Sequence, residues 1–184
     1  MEKHLVIAII EALDAEHVPY MLAGSFASMV YGIPRSTKDV DFVVELEEPA
    51  FSRLIKRLEP EFDLDPQQYL ETSTWTRRYI LKAKRSAFKI EFFLRSDDPH
   101  HLCQWSRKRT VFNSILQHPV TMPTAEDVIV QKLRWGRPQD RIDAENVMDV
   151  QFPQLDWSYI EHWCGQHDRL VLLQEIRSGL EPLA

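Results

Sequence analysis

No apolar run in this 184-residue chain approaches the roughly 18 residues that a membrane-spanning helix needs. The N-terminal stretch Leu5 to Ile10 is apolar but short, Glu11 and Asp14 follow at once, and no small-residue cleavage site comes after it. No secretory leader is therefore expected, and a cytoplasmic location is the default. Cysteine is scarce: the two thiols, Cys103 and Cys164, lie too far apart for a metal or redox spacing and read as ordinary thiols of a reducing compartment. His100-His101 with Cys103, and His162 and Cys164 with His167, do not reproduce a tetrahedral ligand set, so no zinc is expected. Positive charge is not in excess either. The formal net charge of -6 argues against a general nucleic-acid coat.

Repeats and low-complexity segments are also missing. What remains, 44% hydrophobic and 27% charged residues, is close to the globular average and enough for the core of one ordinary domain. Val6, Ile9, Ile10 and Leu13 sit at helical spacing and predict an amphipathic helix over residues 2–16. Tyr20 to Ala23 reads as a short buried strand, broken by Gly24-Ser25, with one or two helical turns from Phe26 to Tyr31. From Asp39 to Glu45, Val40, Phe42 and Val44 alternate with Asp39, Asp41 and Val43, the pattern of a strand. Phe51, Leu54, Ile55 and Leu58 predict a second helix, with Pro49 near its start. Arg77–Leu81 and Phe88–Leu94 read as paired strands, and His118–Met122 as another. After Pro123 the character turns helical. Thr124 with Asp127 forms an imperfect capping box ahead of a helix from Ala125 to Trp135, and helices follow near Asp140–Val150, Trp157–Cys164 and Leu170–Ser178. The division this suggests is a strand-rich core over 1–122 with a helical lobe over 123–184 packed on it.

Three features converge on chemistry. Gly24-Ser25 at a strand-to-helix junction offers backbone N–H groups and a hydroxyl to a phosphate, although most such pairs, taken alone, are turns or caps. Asp39 and Asp41, two apart on a strand, point to one face, where two carboxylates can share divalent ions. Without a cation they repel, and one tends to take a proton. Glu91 stands opposite the apolar face of Phe88, Ile90, Phe92 and Leu94, and it completes a three-carboxylate cluster if its strand lies beside that of Asp39. A fourth feature is Lys132, which falls on the inward stripe of Ala125, Val128, Ile129 and Leu133, so its ammonium must snorkel out or meet an anion. Trp135, near it on the same helix, is a candidate wall for a nucleobase. The basic run Arg77, Arg78, Lys82, Lys84, Arg85 and Lys89 reads either as a solvated hairpin edge or as a surface that meets phosphates.

Ala23-Gly-Ser-Phe-Ala, then Tyr31-Gly-Ile-Pro-Arg-Ser-Thr-Lys-Asp-Val-Asp41, resembles the polymerase-beta-like nucleotidyltransferase superfamily. Thr124-Ala-Glu-Asp-Val-Ile-Val-Gln-Lys132-Leu with Arg137-Pro-Gln-Asp140-Arg-Ile-Asp143 resembles its branch of abortive-infection-type toxins and small antibiotic nucleotidyltransferases. The matched segments cover about half the chain. The resemblance implies an α+β fold, a nucleotidyltransferase-like mixed sheet flanked by helices with a C-terminal helical lobe. It further implies transfer of a nucleoside monophosphate from a triphosphate, ATP first among them, to a hydroxyl on a small molecule, RNA or protein. By position, Asp39, Asp41 and Glu91 would be catalytic and bind magnesium, with two ions expected. Gly24, Ser25, Arg35, Lys38 and Lys132 would hold the triphosphate. Glutamate at position 91 departs from the aspartate often found there, which leaves the general-base role open. The rival reading is a non-catalytic module of the same fold that regulates a partner, as within a toxin–antitoxin pair.

Overall fold

The computed structural model describes residues 2–71 and 75–180. Helix α1 (Lys3–Ala15) buries Leu5, Val6, Ile9, Ile10 and Leu13, the stripe expected from the periodicity. Strand β1 (Tyr20–Ala23) runs straight into helix α2 (Gly24–Tyr31), and strand β2 (Asp39–Val44) follows across a loop. Helix α3 (Glu48–Leu58) carries Pro49 in its first turn and buries Leu54 and Leu58. Then come β3 (Phe62–Leu64), β4 (Tyr69–Glu71), β5 (Thr76–Ala83) and β6 (Lys89–Leu94). The remainder is α4 (Pro99–Arg107), β7 (Arg109–Asn113), β8 (His118–Met122), α5 (Ala125–Trp135), α6 (Pro138–Gln151), α7 (Trp157–Gln166) and α8 (Leu170–Gly179), with a short 3-10 turn at Phe152–Gln154.

Six strands form one mixed sheet, with β1, β2, β6, β5 and β3 in that order and β4 also paired to β5. Among the described residues only the β2–β6 pair is parallel; its register places Asp41 beside Glu91. The antiparallel β1–β2 pair sets Ala23 beside Asp41. Because side chains alternate along a strand, these registers split the sheet cleanly. Leu22, Val40, Phe42, Val44, Ile90 and Phe92 form the buried back face, where the rings of Phe42 and Phe92 pack 5.9 Å apart. That face merges into one apolar core that runs through α1 and on to the C-terminal helices. The front face is left with Asp39, Asp41 and Val43, and with Lys89, Glu91 and Phe93.

Where the sequence turns from strand-rich to helical, Tyr31 Oη donates to the Pro123 carbonyl at 2.7 Å and Gln151 donates to the Tyr31 carbonyl at 2.9 Å. These bonds tie α2 to α6 and to the entry of α5. Four elements have no counterpart in the sequence pattern: β3, β4, α4 and β7. The first two are too short to show a period. Helix α4 turns His100 and Gln104 inward instead of an apolar stripe, and its start is fixed by the Asp98 side chain accepting from the N–H groups of His100 and His101. Phe112 on β7 is exposed, so that strand lacks a buried alternation.

Candidate active site

The site is built where β1 ends. Gly24 takes the left-handed backbone angle φ +58, and an ideal Cβ placed there would lie 1.8 Å from Asp41 Oδ2. Glycine is therefore required twice over, for the angle and for the space. The consequence is contact: the Gly24-Ser25 turn rests directly on the Asp41 carboxylate.

Asp39 and Asp41 share the front face of β2, as the alternation predicts. Thr37 Oγ1 donates to Asp39 Oδ1 at 2.7 Å and fixes that carboxylate. Burial, and then the charges of Glu91 and Asp39, push Asp41 up to about 7, against the opposing pull of Lys132 and Arg137. The site is thus short of positive charge, the condition a divalent cation would relieve. Glu91, largely buried, lies beside Asp41 in the sheet, but its Oε2 accepts from Arg78 Nη1 at 2.7 Å. Among the described residues, no three His, Cys, Asp or Glu side chains are gathered closely enough to hold a metal ion as they stand. The donor set fits a divalent cation at Asp39 and Asp41, with Glu91 one sheet position away and held by Arg78.

The cationic residues are arranged around Asp143. This buried carboxylate accepts from Arg35 Nε and Nη2, both at 3.0 Å, from Lys132 at 2.8 Å, from Gln139 at 3.0 Å and from Ser28 at 3.3 Å. Burial pushes its pKa up, but the bonds from Arg35, Lys132 and Gln139 outweigh that and hold it well below the usual carboxylate range. Arg35 Nη2 also donates to Ser25 Oγ at 2.9 Å, so the hub reaches the Gly24-Ser25 turn. Lys132, 2% exposed, spends its ammonium on Asp140 at 3.0 Å as well as on Asp143. The inward lysine has met its anions inside the protein. Lys38 is exposed on the loop before β2, where its carbonyl accepts from the Lys89 N–H.

Three of the six cations of the basic run are paired locally: Lys82 with Asp65 at 2.8 Å, Lys84 with Asp63 at 3.6 Å and Arg78 with Glu91. That half of the run is an edge balanced by carboxylates. Arg78 itself was hidden in the run. Its signal was strand phase, because Arg78, Ile80 and Lys82 alternate on β5 and Ile80 pairs with Glu91.

A cleft opens between this front face and helices α4 and α5. Gly24, Asp41 and Lys132 line one end, and Met21, Val43, Phe93, Gln104, Gln131 and Trp135 are among the residues lining the rest.

No family model matches this sequence, and neither does any curated protein sequence. Solved structures do match. The antibiotic-resistance factor ANT(2'')-Ia superposes with a TM-score of 0.60 at 12% identity, over 96% of this chain and 97% of that one. The lincosamide antibiotic adenylyltransferase LnuA, in a lincomycin-bound structure, gives 0.57 at 14% identity, over 82% of this chain and 98% of that one. This chain has the nucleotidyltransferase fold. An antigenic nucleotidyltransferase-like protein from Paracoccidioides brasiliensis shares it, with a TM-score of 0.55 at 14% identity over 96% and 93% of the two chains. The nucleotidyltransferase fold accounts for the mixed sheet, the parallel β2–β6 pair and the helices around them. At these identities the likeness concerns architecture, and activity must be argued from the site itself.

Proposed function

We propose that this chain is a divalent-metal-dependent nucleotidyltransferase that moves a nucleoside monophosphate from ATP to an acceptor hydroxyl. The observation that carries the reading is the contact between Gly24 and Asp41. A phosphate seated on the Gly24-Ser25 turn lies against the carboxylate that most needs a cation. Structural neighbours agree in kind: ANT(2'')-Ia is known in complex with adenylyl-2''-tobramycin.

In this reading Gly24, Ser25 and Arg35 bind the triphosphate, with Lys38 at the rim. Lys132 contributes its charge from behind, through the Asp143 hub. Asp39 and Asp41 would hold magnesium, with Glu91 as the third ligand; bound there, the ions stabilise charge on the attacking and leaving oxygens. Arg78 orients Glu91. The acceptor oxygen forms a bond to the α-phosphorus as the bond to the β-phosphate oxygen breaks. Pyrophosphate leaves with the electron pair, and the hydroxyl proton passes to Glu91.

The test is titration calorimetry of the intact chain with ATP, with and without magnesium, beside mass spectrometry of acceptors incubated with each nucleoside triphosphate. Magnesium-dependent ATP binding and a nucleotidyl mass gain on an acceptor are expected. Equal ATP binding by wild type and Asp41→Asn would defeat the assignment of the aspartates.

A further inference from the structure

The strand registers arrange the front face in rows. One row reads Ala23, Asp41, Glu91 and Ile80 across β1, β2, β6 and β5. Two residues further along the strands the row reads Met21, Val43, Phe93 and Arg78. The acceptor hydroxyl must reach the carboxylate row; Asp41 of that row lines the cleft and Glu91 stands beside it in the sheet, so the adjoining space over Val43 and Phe93 receives the body of the acceptor. Its walls are apolar.

The opposite wall adds a polar atom. Among the described residues, the indole N–H of Trp135 is buried without a hydrogen-bond partner. Trp135 lines this cleft, with Gln131 one turn before it on the same face of α5. A buried donor left unpaired is costly, so this N–H marks where a ligand supplies an acceptor.

Charge narrows the class. Asp41 is the sole carboxylate among the described residues lining the cleft. The cations near its far end are Arg78, paired with Glu91, and Arg95, paired with Glu45 at 3.1 Å and Asp97 at 3.6 Å. A polyamine acceptor would meet no free anion there. An RNA end would need unpaired cations for its phosphates at the cleft itself, where Arg95 is paired with Glu45 and Lys132 is held by Asp140 and Asp143.

We propose, resting on the nucleotidyl-transfer reading, that the acceptor is a small uncharged molecule with an apolar body, a hydroxyl directed at the Asp41 end of the cleft, and a hydrogen-bond acceptor facing the indole N–H of Trp135. Val43 and Phe93 select against polycationic amino sugars. Trp135 orients the body.

The test uses chloramphenicol, a neutral aromatic compound with hydroxyl groups, against tobramycin as a polycation and a short oligoribonucleotide with a free 3′ hydroxyl. Calorimetry is run on the intact chain with magnesium and ATP present, and adenylylated product is read by mass. Chloramphenicol is expected to bind and to gain the nucleotidyl mass. Trp135→Phe, which keeps the ring and deletes the N–H, should weaken its binding by about tenfold, the scale of one lost buried hydrogen bond. Phe93→Ala should weaken it at least as much, and both variants should keep wild-type ATP affinity. Preferential binding of tobramycin or the oligoribonucleotide overturns the proposal. So does a loss of ATP affinity in Trp135→Phe with chloramphenicol binding unchanged, which would make the pocket a nucleobase site. If magnesium and ATP do not bind wild type at all, the transferase reading itself fails and this one falls with it.

Discussion

At the scale of single residues, Gly24 and Asp41 constrain each other. No side chain fits at position 24, because its Cβ would enter the Asp41 carboxylate and the backbone there is left-handed. Gly24→Ala is expected to lower stability by roughly 1–2 kcal/mol from the backbone angle alone, and to remove activity by displacing Asp41. Urea unfolding beside a turnover assay checks this; an alanine variant with wild-type stability and rate would show that the contact is loose. Asp41→Asn is the complement. It keeps the shape and removes one of the crowded negative charges, so the metal-free protein should melt no earlier than wild type while turnover disappears. These predictions separate the two halves of the contact, since one disturbs geometry and the other only charge.

At the scale of elements, the pairing of α5 with α6 turns on a buried ion cluster. Lys132 sits between Asp140 and Asp143, with all three nearly inaccessible to water. Lys132→Met keeps the length of the stem but removes the cation that both buried carboxylates share; Asp143 keeps Arg35 and Asp140 keeps Arg137, so the cost should fall below the roughly 3–5 kcal/mol of a buried charge left unpaired. The variant should still unfold at lower urea, whatever it does to ATP affinity. A melt identical to wild type would mean that the lysine is held loosely and is free for phosphate. The start of α5 offers a second, smaller test. Thr124 Oγ1 accepts from the Asp127 N–H and donates to Asp127 Oδ2 at 2.9 Å. Thr124→Ala should cost about 1 kcal/mol, the usual worth of such a cap, read from the urea midpoint.

At the scale of the whole molecule, α4 meets α7 and the turn after it through histidines. His100 packs 4.8 Å from Trp163 and 5.3 Å from His167, ring centre to ring centre. Burial, chiefly, lowers both His101 and His167 to about 4. A histidine held neutral in this way stabilises the fold fully above its unfolded value near ~6.5, and that stability drains away as pH falls toward the folded value. Acid should therefore destabilise the protein between pH ~6.5 and 4, with His101 the larger contributor because His167 is partly open to solvent and its share is screened. Urea midpoints across that range test it, and His101→Gln should flatten the slope. A midpoint that is level or rises as pH falls would contradict the burial of these rings.

Much of this was legible in the chain itself. The periods at Val6 to Leu13, at Val40 to Val44 and at Ala125 to Leu133 located α1, β2 and α5, because a side chain's face follows directly from helical or strand repeat. The two-residue spacing of Asp39 and Asp41 fixed their common face for the same reason. The sequence could not set which strands are neighbours, since hydrogen-bonding partners far apart in the chain leave no local trace. Only the folded sheet put Glu91 beside Asp41, gave Arg78 to Glu91, and laid Met21, Val43 and Phe93 in one apolar row. Lys132 shows the boundary most sharply. Its phase on α5 left the ammonium to snorkel out or to meet an anion, and the resemblance pointed to a bound triphosphate. The packing of α6 against α5 decided that Asp140 and Asp143 stand there, because a buried charge takes the nearest partner that the tertiary structure supplies.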